Sequence, residues 1–499
     1  MNDAGVRELA PPLGTLEGAG MIELAQTDPD LEYLFRHVLI QEAAYESLLR
    51  QDRQRLHAVV ADCMEELFGE RLDELAAVMA MHLDAAGDSA RAVDYFVRAG
   101  RFALSRFAGH EAVEAFVRAR ALIPDGDVDP DTRRLRAEVD LGTVEAGITF
   151  IPGDKDLAML GRAREDAETL DDAALLTRVF LLIAVVRTGR GDQYATSPEL
   201  REAIDRGIAS ADRSGDAAHR TEALAILGEA RYGSADYEEA IRLLEEAASR
   251  FEADGRTAWA SLARGTLGLA HARLGRFDEA EAQLARSERL ARDSADPTAL
   301  LDADLYRAIL ETLRGRREIA IDFAVRAADA ADRLDNKACA LVARSVIGEQ
   351  RLLLGQPEAA IVVLEESADL AAYCNMAPAR VEFTRALLES ARAQCSGPVT
   401  VPDRLDAALE YARISGDRLA EGEILRQRAR DRARCGAIDA ALADYAAAEE
   451  VFRSLMARPD LAQTLDEHAA ASAAAGREGE AAKISAESAT VRATMTSSA

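Results

Sequence analysis

The sequence predicts an all-α fold in which helix pairs stack into one extended array, and three observations predict it. Small residues recur every 40 positions, at Gly228, Gly268, Ala308 and Gly348, and again seven residues after each, at Ala235, Gly275, Gly315 and Gly355. The 499 residues are 49% hydrophobic but only 5% aromatic, so the interior is built mainly from Ala and Leu, which favour helices and let them approach closely. Charged residues make up 30%, which suits helices with one wet face. Self-similarity at a fixed period marks a solenoid whose units each bury an apolar face against their neighbours.

The elements follow in chain order. In residues 1–40, a short helix from Leu13 ends at Gly20, and two alternating runs, Met21 to Leu24 and Leu31 to Phe35, flank the turn Asp28-Pro29-Asp30. That pattern is a helix followed by a β-hairpin. Residues 41–125 continue as less regular helices, one of them opened by Ala108-Gly109-His110-Glu111-Ala112, and the acidic stretch Pro124 to Pro130 separates them from an array over 131–499. In the array, a helix from about Thr257 to Leu274 turns at Gly275-Arg276 into a second from Phe277 to about Arg292. The grid continues through Ala280 and Ser287 and returns, after a one-residue slip, at Ala429 and Gly436 and at Ala469 and Gly476. Residues that cap and break helices recur between pairs, at Asp216, Asp254-Gly255, Asp296-Pro297, Asn336, Asn375 and Asp417. Gly189 to Pro198 and Cys395 to Pro402 read as loops, and the last residues should fray.

Composition also excludes functions. A net charge of -28 opposes nucleic-acid binding, which needs a basic footprint, and favours partners with basic patches. The five cysteines never form a CxxC pair and read as reduced, mostly buried thiols. No apolar run approaches the roughly 20 residues of a bilayer span, and the N-terminus lacks a signal core, so a cytoplasmic location with no membrane association is expected. The seven histidines form no i,i+4 pair, and neither a GxxxxGK[ST] loop nor a nucleophile signature occurs. The chain is therefore expected not to be an enzyme, with no catalytic residue, no metal and no cofactor. Glu238-Glu239, Glu245-Glu246 and Glu365-Glu366 fall on wet helix faces. The densest basic run, Arg426, Arg428, Arg430, Arg432 and Arg434, is spread around its helix, where acidic neighbours offer ion-pair partners.

Gly275-Arg276-Phe277-Asp278-Glu279-Ala280 and Ala235-Asp236-Tyr237-Glu238-Glu239-Ala240 resemble the tetratricopeptide repeat, at a period longer than the usual ~34, from about Leu135 onward. The resemblance implies a right-handed superhelix whose concave groove is lined by the first helix of each pair. It places Glu229, Tyr232, Arg273 and Glu349 on that groove, as candidates to bind a peptide or small effector; a solvated or self-packed interior is the alternative. The run from Tyr33 through Phe35-Arg36-His37-Val38 to Leu49, followed by Arg53-Gln54-Arg55-Leu56-His57, resembles the C-terminal part of a bacterial family of signal-transduction ATPases. These are of the adenylate-cyclase-associated or maltose-activator-like type.

That second resemblance makes the helix and hairpin a winged-helix remnant. In related switch ATPases, a histidine at the end of the hairpin contacts the β-phosphate of bound ADP. His37 falls at the matching place with Arg36 beside it, although Val38 stands where many relatives carry Asp. The pair is expected to sense nucleotide only with an ATPase partner; otherwise His37 packs against or caps the next helix. The expected role is a non-catalytic protein-interaction and sensor scaffold of an ATP-dependent bacterial signalling or transcription-regulatory system. Its expected partner is a protein or peptide, with a separately encoded nucleotide-binding ATPase domain as one candidate. The alternatives are a DNA-binding transcriptional regulator, against which the charge argues, and a degenerate fragment of an adenylate cyclase or ATPase.

Overall fold

Residues 3–26, 32–126, 128–148, 153–370, 376–396 and 400–495 are described by the structure, a computed structural model. The turn Asp28-Pro29-Asp30 with Leu31, the residues Cys374 and Asn375, and the tail after Met495 lie outside them. The described residues form twenty-four α-helices and one two-stranded sheet, in two units that divide between Ala146 and Gly147. None of these helices is long and apolar enough to cross a membrane.

The first unit comprises α1 (Asp3–Gly18), β1 (Ile22–Gln26), β2 (Glu32–Phe35), α2 (Val38–Glu46), α3 (Arg50–Leu67), α4 (Ala76–Ala86), α5 (Ser89–Ser105), α6 (Gly109–Leu122) and α7 (Pro130–Gly147). Helix and hairpin are both present, with Ile22 opposite Phe35 and Leu24 opposite Tyr33. α1 starts at Asp3 rather than Leu13 and carries Pro11-Pro12 inside it, where proline ordinarily breaks a helix. Met79, Leu83, Phe96 and Phe116 fill the core of this unit.

In the second unit, α8 (Gly153–Thr169) precedes eight helix pairs. These are α9/α10 (Ala173–Gly189, Pro198–Ser214), α11/α12 (Ala217–Gly233, Tyr237–Ala253), α13/α14 (Thr257–Arg273, Phe277–Ser294) and α15/α16 (Pro297–Leu313, Arg317–Arg333). Then follow α17/α18 (Lys337–Leu353, Pro357–Leu370), α19/α20 (Pro378–Ser396, Arg404–Ser415), α21/α22 (Arg418–Arg434, Ile438–Ser454) and α23/α24 (Arg458–Ala474, Glu478–Ala493).

Local chemistry sets this pattern. Inside a pair the chain reverses at a left-handed residue, typified by Gly275 at φ 75°. There the Gly275 N–H donates to the Ala272 carbonyl at 2.9 Å and the Arg276 N–H to the His271 carbonyl at 3.0 Å, which satisfies the helix end. Between pairs, the Asp216, Asp296, Asn336 and Asp417 side chains accept N–H groups two or three residues on. The small residues of the grid lie where the helices cross. The Ser261 and Ser287 hydroxyls, for example, meet at 3.1 Å across the α13/α14 seam, beside the fully buried Leu284. Burying such a leucine contributes about 1.5–3 kcal/mol.

First helices of successive pairs, such as α11, α13, α15 and α17, touch one another, which puts them on the inner side of the curve. The curve closes on itself. Arg458 of α23 donates to the Leu274 carbonyl at the end of α13 at 3.3 Å, and Gln463 donates to the Leu313 carbonyl of α15 at 3.1 Å. Further up the array, the Thr196 hydroxyl before α10 donates to the Ser415 carbonyl at the end of α20. A simple stack of repeats contacts only its neighbours; this one meets itself again after several pairs. Of the described cysteines, Cys395 and Cys435 are exposed and Cys63 and Cys339 half-buried, so the expectation of mostly buried thiols fails. Cys395 and Cys435 lie at the ends of α19 and α21, outside the seams where helices pack.

Candidate functional site

Closure gives the inner face a charged centre. Arg273 is the last residue of α13, and its Nη1 donates to both carboxylate oxygens of Asp460 at 2.9 and 3.1 Å. Its Nη2 lies 3.5 Å from Glu423, whose other oxygen accepts from Arg380 at 3.3 Å. Burial alone would lower the Arg273 pKa, but Asp460, Tyr232 and Glu423 outweigh it and hold the guanidinium well above its ordinary value. Burial would likewise raise Glu423, and the guanidiniums of Arg380, Arg273 and Arg426 hold it below the usual carboxylate range. One α-turn beyond Arg426, Arg430 donates two hydrogen bonds of 2.8 Å to Glu467 and reaches Glu349 at 3.5 Å. Arg273, Glu349, Arg380, Glu423, Arg426 and Asp460 line a cavity of about 170 Å³, with Ile309, Val346 and Phe383 also in its wall.

The four groove residues read from the sequence divide into two groups. Arg273 and Glu349 both line the cavity. Tyr232 is half-buried with its ring 5.8 Å from that of Tyr237, and it is near enough to Arg273 to influence its charge. Glu229 is not part of this lining and interacts with Asp302 of α15 instead. Burial, with the Asp302 charge added, pushes Glu229 up to about 7. Burial, with the Asp296 charge added, pushes Asp302 up to about 7, and the Cys339 thiol lies 3.9 Å from its carboxylate.

Because both folded-state values are raised, this pair contributes stability that is complete below the unfolded carboxylate range near pH 4 and lost as pH rises through about 7. Both groups are half-buried, so we expect the effect to total about 1–2 kcal/mol. The Glu229→Gln/Asp302→Asn double variant should melt at least as high as the wild type at pH 8 and lose that relative advantage at pH 5. An identical difference in Tm at the two pH values would disprove the coupling.

Asp460 is absent from the groove read from the sequence because it meets Arg273 only through closure, whereas Arg380, Glu423 and Arg426 stand on α19 and α21, first helices that already adjoin one another. Arg430 was within reach of the sequence reading, since it follows Ala429 in the phase by which Glu349 follows Gly348. The rest of the basic run is absorbed by ion pairs, as its spacing implied: Arg428 and Arg432 hold Asp444 at 2.7 and 2.6 Å, and Arg434 holds Asp431 at 2.7 Å. The acidic pairs likewise bond their neighbours, with Glu246 on Arg250 and Glu365 on Arg392, both at 2.6 Å.

In the first unit, His37 is exposed and precedes α2 without capping it through its side chain, while Arg36 lies 3.5 Å from Glu23. Sequence spacing suggested no histidine pair, yet His57 and His82 meet at 2.8 Å through their Nδ1 atoms, with the Tyr45 hydroxyl 3.0 Å from His57 Nε2. Burial, then the His57 charge, lowers the His82 pKa. Among the described residues no three His, Cys, Asp or Glu side chains cluster to hold a metal ion.

No protein-family model matches the chain. An uncharacterised protein of Rhizobium meliloti (strain 1021) is 34% identical over 110 residues, which is 22% of this chain and 11% of that protein. The chain therefore matches only about a tenth of that relative's length. Among solved structures, a Rap protein complexed with competence and sporulation factor overlaps 73% of this chain and 98% of its own, with a TM-score of 0.57 at 11% identity. A signal-transduction ATPase with numerous domains and a tetratricopeptide repeat sensor, from Pyrococcus horikoshii, overlaps 74% of this chain and 60% of its own, with a TM-score of 0.37 at 14% identity. The array is a tetratricopeptide-like helical repeat fold.

Proposed function

We propose that this chain is a non-catalytic sensor and docking scaffold whose array takes a peptide or protein segment on its inner face. The observation that carries this reading is the closure of α13 onto α23. It converts an open curved surface into a recess where paired charges and apolar side chains converge from repeats far apart in sequence. A segment bound there touches several repeats at once, so its binding energy can shift the curvature of the whole array. The fold likeness to a Rap protein complexed with competence and sporulation factor supports the same reading.

The finer part of the proposal is that the array biases a nucleotide-binding ATPase domain in a bacterial signalling or transcription-regulatory system. Its support lies in β2, α2 and the start of α3, where Leu34, Phe35, Val38, Leu39 and Leu49 are exposed over a short stretch. Apolar surface of that density marks a docking face, and the resembling ATPases carry their nucleotide domain there. His37 and Arg36 would then face that domain's nucleotide.

The test is to pan a displayed random-peptide library against the immobilised full chain. Enriched peptides should bind Tyr232→Ala and Glu349→Gln variants at least tenfold more weakly by fluorescence anisotropy. Peptides that bind these folded variants with unchanged affinity would refute an inner-face site.

A further inference from the structure

We infer that the cavity beside Arg426 is a subsite for one apolar carboxylate, the chemistry of a peptide's C-terminal residue or of a small branched-chain acid. The inference rests on the inner-face reading above and specifies what that face recognises. Three guanidiniums line the cavity, those of Arg273, Arg380 and Arg426. Both Asp460 oxygens are taken by Arg273, and the two oxygens of Glu423 are divided between Arg273 and Arg380. The third lining carboxylate, Glu349, reaches Arg430 at 3.5 Å.

Arg426 has no hydrogen bond to a carboxylate. It is 6% exposed, its nearest Asp460 carboxylate oxygen is 3.8 Å away, and its hydrogen bond goes to the Asp460 main-chain carbonyl at 3.4 Å. Its Nε has no hydrogen-bond partner among the described residues, and its Cζ sits 5.4 Å from the Phe452 ring centre. A buried guanidinium lacking a carboxylate at bonding distance is where an incoming monoanion gains most, since the cost of desolvating the cation has already been met in folding.

The remaining lining selects the body of the ligand. Ile309, Val346 and Phe383 favour an aliphatic group over a second charge. A cavity of roughly 150 Å³ accommodates a six-carbon ring, so the 170 Å³ present here suits one leucine-sized side chain with its carboxylate. A phosphate dianion would meet Asp460 and Glu423 with excess negative charge and leave the apolar lining unfilled.

The experiment is calorimetry on the full chain with three probes: a tetrapeptide ending in leucine with a free carboxylate, the same peptide as its C-terminal amide, and 4-methylpentanoate. The free-acid peptide should bind at least tenfold more tightly than the amide. Arg426→Gln should erase that difference, and Arg426→Lys should restore part of it. Val346→Phe fills the cavity without changing charge and should abolish binding of the acid, which guards against misfolding of the arginine variants. Binding of 4-methylpentanoate as tight as that of the peptide acid assigns the subsite to a free small acid, and weaker binding assigns it to a peptide terminus. Equal binding of acid and amide, an acid preference that survives Arg426→Gln, or no saturable binding by any probe would overturn the inference. If library-selected peptides still depend on Tyr232 and Glu349 while amidation leaves them unaffected, this subsite fails and the inner-face reading stands.

Discussion

Replacing Asp460 with alanine should destabilise the second unit by about 3–5 kcal/mol, because it strips the partner from a buried charge. Asp460 is 2% exposed and accepts both hydrogen bonds from Arg273, while its carboxylate is also the nearest to Arg426. Alanine would leave two guanidiniums facing Glu423 alone. The Arg273→Met/Asp460→Leu double variant removes charge from both sides and should recover most of the loss, since exchanging a buried ion pair for apolar side chains is commonly neutral or better. Amide exchange is the suitable measurement, because a repeat array need not unfold in one step. Protection should fall first in α23 and α24, whose contact with α13 and α15 is what closes the curve. Single and double variants with equal loss would show that the pair is not the latch.

The second large effect is expected at a seam. Gly348 of α17 packs against α18 so closely that a Cβ would lie 2.4 Å from Leu364 Cγ and 2.5 Å from its Cδ2. Leu364 is fully buried and has no room to retreat. Gly348→Leu should therefore destabilise the array by about 3 kcal/mol, the upper end of overpacking costs, and Gly348→Ala by about 1–3 kcal/mol. Gly161 in α8 provides the contrast, as an added Cβ there meets nothing within 4 Å. Gly161→Ala should instead raise stability by about 0.5–1 kcal/mol, through helix propensity and a less flexible unfolded chain. Thermal melts of the two alanine variants should move in opposite directions. A shared direction would mean that packing at Gly348 is looser than its distances imply.

Gly348 was legible in the sequence because its requirement is local and repeated. The same steric demand recurs at each crossing, so it appears as a small residue every 40 positions. The turn at Gly275 and the caps at Asp216, Asp296 and Asp417 were legible for a similar reason, since they bond to backbone groups only a few residues away. Helix α1 begins ten residues before the Leu13 expected from the sequence and carries Pro11-Pro12 inside it.

The site divides along the same line. Glu349 and Arg273 were identifiable by their phase within a repeat, and Arg430 by extension of that phase. Asp460 as the partner of Arg273 was not, because 187 residues separate them. Their meeting depends on small rotations accumulated over five helix pairs, and no single repeat encodes that sum. Likewise, the separation of 25 positions from His57 to His82 gave no hint of a 2.8 Å contact. By itself the sequence determined the repeat, its helix pairs, their turns and their inward face, all of which follow from interactions within a few tens of residues. Only the tertiary structure decided that the array closes, which charges pair across the closure and that Arg426 has no carboxylate closer than 3.8 Å, because those outcomes depend on distances between repeats far apart in the chain.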